Sequence, residues 1–364
     1  MNEFVLMAIK CAFLLIILLQ VVPIMAWVER RGSALMQNRL GPNRVGPLGL
    51  FQSLADAVKF IWKEDPIPGH VNPVYYVLAP IIALTPAFMT FAVIPLAEPI
   101  AVNFENGFSG LMSFQIADLD VGLLYILAIS SLSIYGIMMA GWASNNKYAM
   151  LGGIRSSSQL ISYELSLGLS IIGVIMVFSS VQLGDMVSAQ SEPLLTLGPL
   201  TIPKWGIFVQ PLGFLIFMVA GYAETNRLPF DLPEGESEIV AGYHLEYGSM
   251  KFAFFMMAEY LHMTTISGLL ATFYFGGWQL LPGMEWGLGL LSLEGDAYAW
   301  GLRAMQFLSL VMKVMFFMWL FVWVRWTLPR FRFDQLMNLG WKVLLPLSLA
   351  NIFLTGILIA LKVF

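Results

Sequence analysis

Apolar stretches of about twenty residues recur along this chain, and they decide the solvent in which it folds. A helix needs roughly 20 apolar residues to cross the hydrocarbon of a bilayer. Eight such stretches are read at 4–28, 72–97, 121–142, 158–182, 206–223, 250–281, 300–325 and 341–362. They are continuous rather than alternating, which points to helices and not to barrel strands. Only 12% of the 364 residues are charged, against roughly 25% in a soluble domain, so there is no polar coat for a water-facing surface. The expectation is an all-α polytopic membrane helix bundle with about eight transmembrane helices. No polar linker divides it, so 1–364 reads as a single integral membrane domain. The sixth stretch is long enough to be tilted or broken near Gly268. The first continues to Val28 without a small-residue cleavage site, too long for a signal-peptide core.

Lys and Arg set the expected orientation. The first loop holds Arg30, Arg31, Arg39, Arg44, Lys59 and Lys63, the third Lys147 and Arg155, and the fifth Arg227 and Lys251. The seventh, with its flanks, holds Arg325, Arg330, Arg332 and Lys342, making 14 of the 19 basic residues. The even loops and both tails hold Lys10, Lys204, Arg303 and Lys362. The odd loops therefore read as cytoplasmic and both termini as periplasmic, in a bacterial cytoplasmic (inner) membrane.

Several chemistries lack their residues. Cys11 is the only cysteine, too few for a disulfide, a Cys₄ iron–sulfur site or a cysteine zinc site. His70, His244 and His262 fall at unrelated spacings. No metal site and no catalytic residue is read in this chain. It has no GxxxxGK[ST] loop, no strand-borne GxGxxG, no HExxH and no nucleophile elbow. Such a chain can hold protons and a hydrophobic ligand, but electrons must come from another subunit. Nucleic-acid binding has no basic soluble domain to support it.

The odd loops carry the polar information. In the first (29–71), Gly/Pro pairs within QNRLGPNRVGP (37–47) impose turns. Residues 50–63 then read as a cytoplasm-side amphipathic surface helix, with Leu50, Phe51, Leu54, Val58, Ile61 and Trp62 on one face and Asp56, Lys59 and Lys63 on the other. Two readings stand: an interfacial helix that snorkels its lysines, or one whose polar face lines a cavity entered from the membrane. In the third loop, Glu164 lies just inside the fourth span, either in an interhelical ion pair or facing the bundle interior. The fifth (224–249) is the densest in acid, with Glu224, Asp231, Glu234, Glu236, Glu238 and Glu246, and Glu259 follows in the sixth span. Asp231 is placed to cap a helix starting near Leu232, with Glu234 at the reciprocal position. These acids form either an exposed acidic face or, at low dielectric, a chain that shares protons. In the seventh, Arg325, Arg330 and Arg332 surround aromatics and Asp334, either as positive-inside anchors or as partners for another subunit's carboxylates.

Six segments together resemble the H-type membrane subunit of bacterial type I NADH dehydrogenase, equivalent to subunit 1 of the mitochondrial complex I. They are VERRG (28–32), QNRLGPNRVGP, LADAVKFIWKED (54–65), GWASNNKYAMLGGIRSSSQLISYE (141–164), ETNRLPFDLPEGESEIVAGYHLEYGSMKFAFFMMAEY (224–260) and TLPRFRFDQLMNLGWK (327–342). The resemblance covers nearly the whole chain. It implies a subunit of a proton-translocating NADH:quinone oxidoreductase that encloses much of a quinone chamber and couples quinone reduction to proton translocation. With the amphipathic helix, it points to Glu29, Arg30, Phe51, Asp56, Lys59 and Trp62 for quinone. Glu164, Glu224, Glu234, Glu236, Glu238, Glu246 and Glu259 are the expected proton relay, and Arg155, Arg227, Asp231, Arg325, Arg330, Arg332 and Asp334 the structural or interface residues. Quinone is then the substrate, with FMN and iron–sulfur clusters in partner subunits. The implied partners are the iron–sulfur and 49-kDa-type subunits of a hydrophilic arm, small membrane subunits, antiporter-like subunits and lipid. A coupling subunit of an energy-converting hydrogenase is the rival reading. A stand-alone ion transporter is a third, opposed by the absence of a visible internal repeat.

Overall fold

Lipid offers a backbone no hydrogen-bond partners, so each apolar run must close its own bonds as a helix, and the computed structural model is built from such helices. It describes residues 3–103, 109–197, 200–233, 235, 239–284, 289 and 295–362. Twelve helices are labelled in chain order: α1 (Glu3–Met36), α2 (Gln52–Trp62), α3 (Pro73–Thr90), α4 (Gly122–Ala143), α5 (Lys147–Phe178), α6 (Leu183–Ala189), α7 (Gly206–Val209), α8 (Pro211–Glu224), α9 (Ser249–Tyr274), α10 (Gly295–Thr327), α11 (Phe333–Asn338) and α12 (Leu345–Ala360). A wide π turn, Leu339–Leu344, joins α11 to α12. Two short antiparallel hairpins, Ile100–Asn103 with Ser109–Met112 and Pro193–Leu197 with Leu200–Pro203, lie in even loops.

Among the described residues, six helical segments are long and apolar enough to cross a membrane: Phe4–Met36, Pro73–Val93, Gly122–Ala143, Lys147–Phe178, Gly295–Thr327 and Phe333–Ala360. The other two expected spans differ for physical reasons. α8 is a 14-residue apolar helix opened by Pro211. α9 has 26 residues, but Glu259, Tyr260, His262, Thr264 and Thr265 dilute its apolar character. It runs unbroken through Gly268, where the sequence allows a break. Two boundaries also move. α1 continues eight residues past Val28, so Glu29, Arg30 and Arg31 are helical. α5 begins at Lys147, not near 158, capped by the Asn146 side chain accepting from Tyr148 N at 2.9 Å.

α3, α4, α5 and α8 pack in succession, α9 lies against α1, α3, α8 and α10, and α12 covers α5 and α8. Glycine makes the α3–α4 contact possible: a Cβ on Gly136 would sit 2.5 Å from Ala83 N. Beyond α9, the buried Lys313 ammonium donates to the carbonyls of Gly277 (2.8 Å) and Gln279 (2.7 Å). A charge in an apolar bundle is satisfied there by backbone dipoles.

Candidate functional site

The chain turns sharply after α1. Gly46 and Gly49 adopt φ of +72° and +74°, and Leu48 is left-handed at 54°. The Leu48 carbonyl accepts from Trp27 Nε1 at 3.0 Å and Arg31 Nη2 at 3.0 Å. This lock folds 37–51 back and lays α2 along the polar end of α1. The far end of α2 is tied to α9 by Ser249 Oγ, which donates to the carbonyls of Phe60 (2.8 Å) and Lys63 (2.9 Å), and by Lys251 to Asp65 at 2.6 Å.

Between α1, α2, the 226–231 turn, α9 and the end of α10 lies a cavity of about 700 Å³. Leu19, Val22, Ile61 and Met250, Met256 and Met257 line its apolar part, and methionine gives such a wall adaptable shape. Its polar end converges on Glu29, only 6% exposed. Arg227 Nη1 lies 3.4 Å from both Glu29 oxygens, the Tyr260 hydroxyl donates at 2.6 Å, and Arg325 pairs with the other side of the carboxylate. Arg227 also reaches Glu259 Oε2 at 3.3 Å and stacks 4.5 Å over the Tyr260 ring. Two carboxylates and two guanidiniums therefore form one balanced network.

Arg30 clasps Asp56, whose second oxygen accepts from Gln52 at 3.0 Å. Burial pushes the Asp56 carboxyl up, but hydrogen bonds from Arg30 and Gln52 and the charges of Arg30 and Lys59 outweigh it, leaving it below the usual aspartate range. The clasp is complete above that range and loosens only as pH falls through the lowered value.

Of the six residues expected at a quinone, Glu29, Arg30 and Asp56 stand on the cavity wall. Phe51 and Trp62 point outward, 51% and 85% exposed, and Lys59 is solvent-facing beside Asp56 at 3.6 Å. α2 turns Ser53, Asp56, Ala57 and Phe60 to the cavity, a stripe at i, i+3, i+4 and i+7, flanked by Leu54 and Ile61. Asp231 pairs with Arg330 at 2.9 Å. Arg332 pairs with Asp334 at 3.9 Å on the surface, and Arg155 lies 5.9 Å over the Phe333 ring.

The expected relay residues separate. Glu259 belongs to the network above. Glu224, at the end of α8, faces Glu164 of α5 and Ser130 of α4, and its Oε2 is buried without a hydrogen-bond partner. Among the described residues no basic side chain pairs with Glu164 or Glu224. Glu246 is engaged elsewhere, accepting from Asn146 at 2.9 Å and lying 3.6 Å from His70. Glu234, Glu236 and Glu238 lie outside the described residues; Leu232 and Pro233, at the expected helix start, form a turn.

The NADH dehydrogenase family model matches residues 9–356. The H subunit of NADH-quinone oxidoreductase from Bdellovibrio bacteriovorus is 50% identical, covering 96% of this chain and 95% of that protein. The chain belongs to this NADH dehydrogenase family. Subunit 8 of the enzyme from Rhodothermus marinus is 47% identical over 96% of both chains, and an H-type subunit from Cytophaga hutchinsonii 45% identical over 92% of this chain and 91% of its own.

Within this NADH dehydrogenase chain, two residues that shape the site, Tyr260 on the cavity wall and Gln159 behind the 226–231 turn, have no signature in the sequence. Tyr260 is visible there only as the neighbour of Glu259, and nothing marks it as a donor to Glu29. Gln159 gives no signal at all. It is fully buried, and its amide donates to the carbonyls of Ala223 (2.8 Å) and Phe230 (2.9 Å) and to Asn226 Oδ1 (3.2 Å). It thereby holds the turn that presents Glu224 and Arg227. Gln159→Leu keeps the volume but removes the donor shared by Ala223 O, Phe230 O and Asn226 Oδ1, at a net cost of about 0.5–1.5 kcal/mol per hydrogen bond lost. The expected result is a lower melting temperature of the purified complex and reduced incorporation, read by thermal unfolding and native gel.

Proposed function

We propose that this chain is the quinone-site and coupling subunit of a proton-translocating NADH:quinone oxidoreductase in a bacterial cytoplasmic membrane. Its odd loops face the cytoplasm and both termini the periplasm. The cavity carries the reading. A quinone joins a flat polar head to a long apolar tail, and this cavity has an apolar side formed by Leu19, Val22, Ile61 and the methionines, and a polar end formed by Arg30, Asp56, Arg227 and Tyr260. The names of the relatives supply the enzyme. The charge bias of the odd loops supports the orientation, because basic loops stay on the cytoplasmic side.

On this reading FMN and iron–sulfur clusters reside in partner subunits. The iron–sulfur and 49-kDa-type subunits of the hydrophilic arm close the cavity at the cytoplasmic face, and antiporter-like subunits continue the membrane arm. Quinone reduction takes up two protons and changes the charge beside the Glu29 network. In a poorly screened site that change acts on Glu259 and, through it, on Glu224 and Glu164.

Arg30→Ala tests the quinone assignment. It removes the clasp on Asp56 and a cation from the polar end. Quinone reduction is expected to fall about tenfold while electron transfer from NADH to an artificial acceptor, a measure of assembly, persists. Equal loss of both activities refutes a site role for Arg30.

A further inference from the structure

A second, much smaller cavity lies deeper in the bundle. Its volume is about 20 Å³, enough for one water, which needs roughly 10–15 Å³ and two to four polar partners. Ala83 of α3, Ser133 of α4, Leu160 of α5 and Tyr243 contribute to its wall. Its titratable lining is Glu224 from α8, Glu259 and His262 from α9, and Tyr243 from the preceding turn. Glu259 and His262 are three residues apart on one helix face. The buried Glu224 Oε2 has no hydrogen-bond partner. Beyond this lining, Arg227 faces Glu259 and Glu164 faces Glu224. Glu259 and Asn226 belong to the walls of both cavities.

We propose that the small cavity is a hydrated proton junction in which the His262 imidazole carries protons between Glu259, on the wall of the large cavity, and Glu224, in the interior. The inference rests on the coupling role proposed above and assigns it a residue that is not a carboxylate. Imidazole suits the position because its two nitrogens exchange donor and acceptor roles. A protonated Glu259 gives its proton through the water to one ring nitrogen. The other ring nitrogen gives its proton to the Glu224 carboxylate. Glu259 is left as a carboxylate beside Arg227, Glu224 is left neutral, and the ring resets its tautomer through the same water. One proton has moved and no charge is created.

The test uses the whole complex in proteoliposomes, with assembly counted by NADH oxidation with an artificial acceptor. His262→Asn and His262→Gln keep a polar side chain that takes up no proton. Both are expected to assemble and to pump at least roughly tenfold more slowly, with a flattened pH profile and an altered solvent deuterium isotope effect. A role confined to packing would move neither of those last two readouts. Ala258→Val fills the cavity while leaving the ring in place, and is expected to slow pumping similarly; it carries the test if the histidine variants do not assemble. Assembled His262→Asn that pumps at the wild-type rate with the wild-type pH profile overturns the proposal, as does normal pumping by Ala258→Val. Glu224→Gln separates the two levels. If it is crippled while His262→Asn is normal, only the histidine assignment falls; if both are normal, the coupling reading falls as well.

Discussion

Glu29→Gln is expected to deplete the assembled protein. The carboxylate is buried between two guanidiniums, and it also accepts from the Tyr260 hydroxyl. Neutralising it leaves Arg227, 6% exposed, and Arg325 with Glu259 as their remaining counter-charge within the network. Removing one partner from a buried ion pair costs about 3–5 kcal/mol, a large fraction of the stability of an ordinary domain. The measurement is the amount of complex recovered from membranes and its unfolding temperature, both falling together. Glu29→Gln complex recovered at wild-type yield with an unchanged melting temperature would show that the network adds little to the fold.

The same substitution at Glu224 is expected to do the opposite. No basic side chain among the described residues pairs with Glu224; Glu164 and Ser130 face it, and Glu259, His262 and Tyr243 share its small cavity. Gln keeps the shape and a hydrogen-bonding carbonyl, and, unlike at position 29, no guanidinium among the described residues loses its counter-charge. Assembly should therefore be normal. Proton pumping and coupled quinone turnover should drop by about tenfold or more, because the amide does not take up a proton as a carboxylate does. The comparison decides between the two readings of the acids in one pair of variants: a structural carboxylate fails in yield, a relay carboxylate in turnover. Normal pumping by assembled Glu224→Gln would remove this position from the relay.

That division between acids is not legible in the chain. Hydropathy reports where lipid is tolerated, so the apolar runs and the surface helix near 50–63 can be read directly. It does not report where helical hydrogen bonding stops, so α1 extends through the charged VERRG segment and α5 starts inside a polar loop. The resemblance singles out Glu29, Arg227 and Arg325 in separate roles, but their meeting joins positions up to 296 residues apart. Only the packing of α1, α10 and the turn after α8 brings them to one point. On α2 the difference is more local. Its polar face reads as Asp56, Lys59 and Lys63, yet the side turned to the cavity includes Ala57 and Phe60, because a helix laid over an amphiphilic space shows it a mixed face. Gln159 and Tyr260 act through hydrogen bonds to groups far away in sequence, and no local pattern marks such residues.

The cavity wall on α1 has a consequence for what the protein can hold. The lining positions on that helix run from Leu19 to Ser33, which at ~1.5 Å per residue is a course of roughly 20 Å. Along that one helix the wall passes from Leu19, Val22 and Ala26, which offer only hydrocarbon, to Glu29, Arg30 and Ser33, which offer charge and hydrogen bonds. The polarity of the space is therefore graded along the axis of α1, so an occupant lying parallel to that helix meets the two kinds of surface in succession, at opposite ends.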